Sequence, residues 1–229
     1  MLKRLFDITA STIGLILFSP LLLAIAVWVK LDSRGPVFYR GERGGRDGKP
    51  FRIFKFRSMV TDADKIGGPS TSDDDPRVTR SGRFIRSLKL DELTQLINVV
   101  LGHMSLVGPR PEVVWKVRNY DDQGRKTLVN RPGITDWASI WNSDEGGVLA
   151  GVPDADEAYD KVIYPYKLKL QLYYIQTCSF WGDIKIILYT LLKIVRKGWI
   201  PKELKDYPTF EQLRDEVQKL VAEKEKPGN

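Results

Sequence analysis

Residues 8–29 read ITASTIGLILFSPLLLAIAVWV, and this uncharged stretch between Asp7 and Lys30 decides the architecture of the chain. As one continuous helix it would extend roughly 33 Å, enough to match the hydrocarbon core of a bilayer. Lysine and arginine flank the stretch on both sides, so neither end has the composition of a translocated segment. We therefore expect the stretch to enter the membrane and both of its ends to stay on one side.

Pro20 lies near the middle of this stretch and shapes its predicted path. It has no N–H to donate to the Ile16 carbonyl, and its ring clashes with that same carbonyl. Ser19 is placed to donate to a carbonyl that the proline leaves free in the preceding turn. The Ser19-Pro20 pair thus predicts a broken membrane helix, a re-entrant hairpin over residues 1–33 that dips into one leaflet and returns.

Three other interpretations of the stretch stay open. Proline occurs in ordinary membrane-spanning helices, so a single span is the main competitor of the hairpin. The sequence Ala24-Ile25-Ala26 resembles a signal-peptide cleavage site, although the apolar run continues past it to Val29. A buried core helix is the third interpretation, but core helices rarely run this long without a charge.

Composition narrows the classes of function. The chain has 229 residues, of which 42% are hydrophobic, and a net charge of +7, so we expect a folded domain that attracts polyanions. Nucleic acid, an anionic membrane surface and a phosphorylated substrate all satisfy that description. Cys178 and His103 are the single cysteine and histidine, which excludes an intramolecular disulfide and a Cys/His zinc site. Residues 34–57 carry eight basic and two acidic residues, typical of a segment that binds anionic headgroups.

Short β-forming runs and several helical patterns predict a mainly helical α+β fold. In a strand, Lys55 and Arg57 would project from one face and aim two cations at one anion. Residues 61–81 are rich in Asp, Ser, Gly and Pro and predict a mobile loop that orders on ligand binding. The apolar stretches 168–174 and 184–195 are interrupted by lysine and surrounded by Tyr and Trp. They predict interfacial amphipathic helices, with core helices as the close alternative.

Two further patterns concern the C-terminal third of the chain. Thr209 and Gln212 fit a capping box at the start of a last helix, whose partner is either the domain itself or a second chain. The acidic residues of this third predict a solvated acidic face rather than a second metal site. They are Asp144, Glu145, Asp154, Asp156 and Glu157.

Asp91 and Glu92 precede an amphipathic period that Gly102 ends, and they are therefore predicted in the first turn of a helix. Acidic residues there usually suit the helix dipole. Cations flank this pair, however: Arg83, Arg86 and Lys89 before it and Arg110 after it. Carboxylates can hold Mg²⁺, Mg²⁺ and arginine neutralise phosphate oxygens, and an ionised carboxylate can attack phosphorus. The pattern therefore predicts a metal–diphosphate site beside the membrane segment.

An ordered series of motifs carries a resemblance to a known family. The motifs are Lys3-Arg4-Leu5-Phe6-Asp7, Ser19-Pro20, Lys55-Phe56-Arg57-Ser58-Met59, Asp75-Pro76-Arg77-Val78-Thr79, Leu90-Asp91-Glu92-Leu93, Met104-Ser105-Leu106-Val107-Gly108-Pro109-Arg110-Pro111 and Arg131-Pro132-Gly133-Ile134-Thr135. Each motif is weak alone, but the series in this order is specific. From Lys3 to Lys197 the chain resembles the bacterial sugar transferase family, the monotopic phosphoglycosyl transferases.

The resemblance implies transfer of a phospho-sugar from a UDP-sugar to undecaprenyl phosphate, with release of UMP and with Mg²⁺ as cofactor. Asp91 matches the family's nucleophile, which forms a covalent phospho-sugar intermediate. Glu92 matches its dyad partner, and whether it binds the metal or orients the donor stays open. Arg86 and Arg110 match arginines placed around the phosphates, joined in our prediction by Lys55 and Arg57 as phosphate-binding cations, and Ser19-Pro20 matches the break in a re-entrant helix.

The resemblance also implies a location, a domain plan and partners. We expect a small, minimal enzyme, monotopic on the cytoplasmic face of the bacterial inner membrane, that starts glycoconjugate or polysaccharide assembly. A catalytic domain would occupy residues 34–200, and an amphipathic helix and tail residues 201–229. Anionic lipid headgroups are expected partners and nucleic acid is not, while homo-oligomerisation is left open. The rival hypothesis is a single-span membrane protein whose basic segment binds nucleic acid or anionic lipid, since aromatic residues interleave with charge over residues 51–56.

Overall fold

The computed structural model describes residues 1–225, so residues 226–229 of the predicted tail lie outside the described residues. Within that range the helices are α1 (Leu2–Asp32), α2 (Ala63–Ile66), α3 (Arg80–Ser87), α4 (Gln95–Val100), α5 (Val114–Arg118), α6 (Asp122–Lys126), α7 (Trp137–Trp141), α8 (Glu145–Val148), α9 (Ala155–Ala158), α10 (Tyr164–Thr177), α11 (Phe180–Val195) and α12 (Phe210–Glu225). The strands are β1 (Phe38–Tyr39), β2 (Glu42–Gly44), β3 (Pro50–Arg52), β4 (Lys55–Phe56), β5 (Ser105–Val107) and β6 (Gly133–Thr135). The predicted mainly helical α+β class is confirmed.

The strands pair two by two in the part of the chain that the structure describes. β1 pairs with β4 and β2 with β3, both antiparallel, whereas β5 and β6 run parallel. The parallel pair places Ser105 opposite Gly133 and Val107 opposite Thr135. This pairing matters because it fixes the start of the loop after β5, and that loop carries Arg110.

Helical structure in α1 is continuous through Pro20, without the interruption that the sequence predicts. The Ile16 carbonyl, which has no proline N–H to bind, accepts a hydrogen bond from Ser19 Oγ at 2.8 Å. The predicted back-bond is thus confirmed, and it explains how the helix tolerates Pro20 in an apolar segment. The helix is long and apolar enough to cross a membrane, and most of its surface is unburied.

Both ends of α1 are fastened to the rest of the fold. Near the N-terminal end, the buried Asp7 carboxylate accepts hydrogen bonds from Ser105 Oγ at 2.8 Å and the Leu106 N–H at 3.2 Å. At the C-terminal end, Asp32 accepts from the N–H and the hydroxyl of Ser81, at 2.9 and 2.8 Å. The exposed apolar residues of the helix lie between these two anchors, among them Ile13, Ile16, Leu17, Phe18, Leu21 and Leu23.

The core behind the β5–β6 pair is built by α7, α10 and α11. Buried Val107, Trp137, Leu170 and Ile186 form one apolar cluster there. α10 therefore belongs to the core, which favours the alternative interpretation of residues 168–174. α11 buries Ile186 on one side but exposes apolar side chains elsewhere, at Trp181, Leu188, Leu191, Ile194 and Val195.

The last helix packs on the domain itself. Leu213 and Val217 of α12 are buried in a cluster with Val148 and Ile163. The predicted capping box is confirmed at its start, since the Thr209 N–H donates to Gln212 Oε1 at 2.8 Å and the Gln212 N–H donates to Thr209 Oγ1 at 3.4 Å.

The segment predicted as a loop over residues 61–81 is tied down by Arg77. This guanidinium pairs with Asp75 at 2.7 Å and donates to the carbonyls of Ala63 and Gly68 at 3.1 and 3.0 Å. The segment contains α2 and the start of α3. Backbone carbonyls of this segment are therefore hydrogen-bonded to Arg77 before any ligand is bound.

Candidate active site

Asp91 and Glu92 lie in a short turn rather than in the first turn of α4, which corrects the sequence prediction. Residues Leu90–Glu92 form a 3₁₀ turn, and α4 begins at Gln95. Lys89 precedes the turn in the left-handed conformation, with φ of 56°, and thereby redirects the chain out of α3. Gly102 has φ of +87°, in keeping with its predicted role after the helix.

Strand β4 brings Lys55 to both carboxylates. The Lys55 ammonium lies 2.9 Å from Asp91 Oδ2 and 3.4 Å from Glu92 Oε1. Thr94 Oγ1 donates to the Phe54 carbonyl at 3.0 Å, which fixes the strand against the turn that carries the acidic pair. The prediction that Lys55 faces an anion is met by the protein's own carboxylates.

Glu92 holds Arg110 in a fork. Arg110 Nη1 donates to Glu92 Oε2 at 2.9 Å, and Arg110 Nη2 bonds Glu92 Oε1. Such a bidentate pair fixes the plane of the guanidinium as well as its position. Glu92 comes from the 3₁₀ turn and Arg110 from the loop after β5, so the fork joins two segments that are distant in sequence.

Asp91 is only 2% exposed, and its two oxygens have different surroundings. Oδ2 is paired with Lys55, whereas Oδ1 is buried without a hydrogen-bond partner among the described residues. A buried carboxylate oxygen without a partner is costly for folding, so its retention points to a task in binding or reaction. Asp91 therefore presents one fixed oxygen and one unsatisfied oxygen.

The dyad lines a cavity of about 490 Å³. Arg86, Lys89 and Arg110 line the same cavity as Lys55, and these four cations outnumber the two carboxylates of the pair. The structure thus brings together all the predicted site residues of this region: Lys55, Arg86, Asp91, Glu92 and Arg110. The summed positive charge suits a polyanionic ligand such as a diphosphate.

The charges of the fork keep Glu92 ionised. Burial by itself would raise the pKa of Glu92, but the positive charges of Arg110 and Lys55 outweigh it and hold that pKa well below its ordinary range. The charge of Glu92 in turn raises the pKa of Arg110 despite burial. At neutral pH the site therefore contains a permanent anion and a permanent cation locked together.

Arg57 does not join these cations, which corrects its predicted role as a phosphate-binding residue. Its buried guanidinium donates to the carbonyls of Val29 at 3.2 Å and Ser33 at 2.7 Å and bonds that of Arg34. Strand β4 ends at Phe56, so Lys55 and Arg57 do not share an extended face. Arg57 thus binds carbonyls at and just beyond the C-terminal end of α1. Ser19 and Pro20 also lie outside the cavity lining.

Sequence reasoning missed three residues of the same cavity wall: Glu112, Tyr159 and Lys167. Their side chains are hydrogen-bonded to one another. Glu112 follows Pro109-Arg110-Pro111 directly, which was the available signal. Tyr159 and Lys167 gave none, because 47 and 55 residues separate them from Glu112.

Among residues 1–225, no metal site made of protein side chains alone is present. No group of three or more His, Cys, Asp or Glu residues that could hold an ion occurs in the portion of the chain that the structure describes. Mg²⁺ characteristically uses one or two carboxylates and completes its shell with water and substrate phosphate. The unsatisfied Asp91 Oδ1 is a donor atom of the required kind, so Asp91 and its neighbour Glu92 fit a metal that arrives with its substrate.

Comparison with known proteins identifies relatives of this chain. The chain is 43% identical over 199 residues to the UDP-glucose:undecaprenyl-phosphate glucose-1-phosphate transferase of Escherichia coli, covering 84% of this chain and 40% of that protein. It is 40% identical over 201 residues to the UDP-N-acetylgalactosamine-undecaprenyl-phosphate N-acetylgalactosaminephosphotransferase of Aeromonas hydrophila, covering 85% of this chain and 44% of that protein. The chain thus spans less than half the length of these two relatives.

A third relative is similar along most of its own length. It is the uncharacterized sugar transferase EpsL of Bacillus subtilis, 36% identical over 194 residues, which cover 85% of this chain and 87% of that protein. The family model described as bacterial sugar transferase matches residues 1–197. That match includes every residue of the fork and of the acidic pair, and with it the chain belongs to the bacterial sugar transferase family.

Proposed function

We propose that this protein transfers a sugar 1-phosphate from a UDP-sugar to undecaprenyl phosphate and releases UMP, through a covalent intermediate on Asp91. The observation that carries the proposal is the unsatisfied Asp91 Oδ1 in a cavity lined with cations. The names of the relatives support the substrates, since they include transferases for glucose 1-phosphate and for N-acetylgalactosamine phosphate. The reaction would be the first membrane step of glycoconjugate or polysaccharide assembly.

Asp91 serves as the nucleophile in this scheme. Its Oδ1 attacks the phosphorus that bears the sugar, a new oxygen–phosphorus bond forms, and the bond to the UMP oxygen breaks. In the second step a phosphate oxygen of undecaprenyl phosphate attacks the same phosphorus and displaces the Asp91 carboxylate. Lys55 lies 2.9 Å from Oδ2 and orients the carboxylate for the attack. Splitting the transfer this way allows UMP to leave before the lipid reacts.

The cations act on the phosphate oxygens. Arg110 is held in a plane by Glu92, so its remaining N–H groups are pre-oriented toward the cavity. Arg86 and Lys89 line the same space and neutralise the charge of the diphosphate as the leaving UMP develops. The positioning of Arg110 is the role that the structure favours for Glu92, because both of its oxygens are bonded to that guanidinium.

Mg²⁺ is the proposed cofactor, held by Asp91 and Glu92 together with substrate phosphate oxygens. When bound, it would neutralise charge on the diphosphate and stabilise the leaving phosphate. Glu92 would have to exchange a bond to Arg110 or Lys55 to become a metal ligand. Because Oδ1 of Asp91 is the attacking oxygen, Asp91 would hold the metal through Oδ2, in exchange for its pairing with Lys55.

A re-entrant topology on the cytoplasmic face of the inner membrane is part of the proposal. Asp7 and Asp32 are both hydrogen-bonded to the same folded domain, although they flank the whole apolar segment. A helix that crossed a bilayer would put these two anchors on opposite sides of roughly 30 Å of hydrocarbon. The apolar face of α11 would lie at the same interface, with Trp181 and Leu188 toward the lipid.

The activity is tested by UMP release with purified protein, undecaprenyl phosphate and a panel of UDP-sugars. The covalent scheme predicts up to one equivalent of UMP without acceptor and a mass increase of one phospho-sugar on the peptide that contains Asp91. Strict dependence of UMP release on the lipid would indicate direct transfer in a ternary complex. Removal of Mg²⁺ with a chelator should stop the release.

The topology is tested by cysteine labelling. Leu2→Cys and Arg34→Cys, each in a Cys178→Ser background, place thiols at exposed positions near the two ends of α1. Both should react with a membrane-impermeant reagent in inside-out vesicles and neither in intact cells. Labelling of the two positions from opposite sides would establish a single span.

A further inference from the structure

A second polar group lies in the wall of the same cavity, at Glu112. Its Oε1 accepts hydrogen bonds from Lys167 Nζ at 2.7 Å and from the Tyr159 hydroxyl at 2.8 Å. Its Oε2 has no hydrogen-bond partner in the residues that the structure describes. We call Glu112, Asn142, Tyr159 and Lys167, all of which line the cavity, the Glu112 cluster.

Asn142 contributes a hydrogen-bond donor to the same cavity. Its Nδ2 is buried and has no hydrogen-bond partner among residues 1–225. Asn142 and Asp91 are the two cavity-lining residues that contain such unsatisfied atoms in the described part of the chain. A buried amide without a partner costs free energy in the empty protein, and a ligand that accepts its hydrogen bond would recover that cost.

Charge decides which part of a donor can occupy the cluster. Burial would raise the pKa of Glu112, but the Lys167 ammonium lowers it to about 2, so the carboxylate is ionised at neutral pH. At the acidic pair Lys55, Arg86, Lys89 and Arg110 outnumber two carboxylates, whereas Lys167 of the cluster is neutralised by Glu112, which leaves no net positive charge there for a phosphate. The diphosphate therefore belongs at Lys55, Arg86 and Arg110, and a neutral polar group belongs at the cluster.

The hydrogen-bonding pattern then separates a sugar from a uracil ring. A sugar hydroxyl both donates and accepts, so two hydroxyls of one ring can meet a carboxylate oxygen and an amide N–H that line the same cavity. The pairing edge of uracil has one N–H between two carbonyl acceptors, so it offers the carboxylate a single donor, whereas a sugar ring offers several hydroxyls. Trp115 and Trp141 also line the cavity and offer flat apolar faces to the C–H side of a sugar ring.

We propose that the Glu112 cluster is the subsite for the sugar of the donor, in which Glu112 accepts from a sugar hydroxyl and Asn142 donates to one. This inference rests on the proposed function, because it assumes a UDP-sugar whose diphosphate lies at the cations. It adds the residues that distinguish one sugar from another.

The sharpest test is Asn142→Ala, measured as binding so that turnover is not required. In an Asp91→Asn background, the dissociation constants of UDP-glucose, UDP-N-acetylgalactosamine and UDP are measured by titration calorimetry with and without the second substitution. The affinity for the better UDP-sugar should fall about 10-fold, the effect of one good hydrogen bond, while that for UDP stays within about 2-fold. Because Nδ2 has no protein partner, thermal stability should not fall.

Glu112→Gln is the second variant, with the exposed Glu42→Gln as its matched control. It should change the ratio of the two UDP-sugar affinities by at least about 5-fold, whereas the control should not. Equal loss of UDP affinity would assign the cluster to uridine and overturn the inference, as would unchanged sugar affinity in both cavity variants. Failure of the proposed function has a different signature, namely no UMP release by the wild-type protein from any UDP-sugar.

Discussion

Glu92 and Glu112 are the two largely buried glutamates in the cavity wall that pair with cations. They differ in how many of their carboxylate oxygens are hydrogen-bonded within the protein. Each is paired with a cation that lowers its pKa despite burial. Glu92 commits both oxygens to Arg110, with Lys55 as a third partner. Glu112 commits Oε1 to two donors and leaves Oε2 unbonded in the described structure.

The difference indicates two separate tasks. A carboxylate with both oxygens in a fork fixes the orientation of another side chain, and the arginine then faces the ligand in its place. A carboxylate with a free oxygen can itself contact a ligand. The cavity therefore presents cations at the Glu92 fork, and hydrogen-bond acceptors and an amide donor at the Glu112 cluster.

The largest effect on turnover should come from the proposed nucleophile, Asp91. Asp91→Asn replaces the proposed nucleophile with a neutral amide of the same shape, and turnover should fall by at least about 10³-fold. The covalent adduct should disappear in mass spectrometry, while UDP-sugar affinity changes little. Substantial residual turnover would leave Asp91 as a partner of Lys55 only.

Arg110→Lys should have the next largest effect, because it breaks the fork but keeps the charge. We expect turnover to fall by about 10²-fold, since an ammonium cannot replace two parallel N–H donors. Membrane association, measured by sedimentation of vesicles, should be unchanged. If turnover were retained, the comparison would weaken, because a point charge would then suffice at the Glu92 end.

The pH dependence of stability should sharpen the comparison. Both glutamates have folded-state pKa values below the unfolded value near 4.5, so their stabilisation is present above pH 4.5 and is lost as the pH falls through the folded pKa, about 2 for Glu112. Each can contribute up to about 1.4 kcal/mol per pH unit in that window. Urea unfolding at pH 6, 4 and 3 should show Glu112→Gln approaching wild-type stability as the pH falls. A constant difference would mean that Glu112 titrates normally in the folded protein.

Tyr159→Phe should have the smallest effect. It removes one of the two donors to Glu112 Oε1 and leaves Lys167 in place. We expect a loss of about 1 kcal/mol in the free energy of unfolding and a 2- to 5-fold rise in KM for the preferred UDP-sugar, with kcat nearly unchanged. A fall in kcat comparable to that of Arg110→Lys would show that the two ends of the cavity do not act separately.

Sequence alone predicted the local features well. The Ser19 back-bond and the Thr209 capping box each depend on residue type and short spacing. Such interactions are decided within a few residues. The assignment of Asp91, Glu92 and Arg110 to one region followed from a recognisable series of motifs.

The failures have a different physical origin. Arg57 binds carbonyls at and just beyond the end of α1, and a carbonyl acceptor leaves no trace in a sequence. Asp91 and Glu92 enter a 3₁₀ turn because Lys89 adopts a left-handed conformation that its residue type does not favour. The Glu112–Lys167 pair joins residues 55 positions apart, so only the packing of α10 could bring them together.

The polar contacts of α1 can form only in the order in which the ribosome produces their partners. Lys3 is paired with Asp183, which lies 180 residues later, and Asp7 binds Ser105, 98 residues later. At about 5–20 residues per second, the ribosome needs roughly 9–36 seconds after Lys3 to produce Asp183. Ser81 and Ser105, which bind Asp32 and Asp7, are made earlier, so the last third of the chain adds the final attachment of the helix. A nascent chain that stops before α11 would therefore leave the amino terminus without this ion pair.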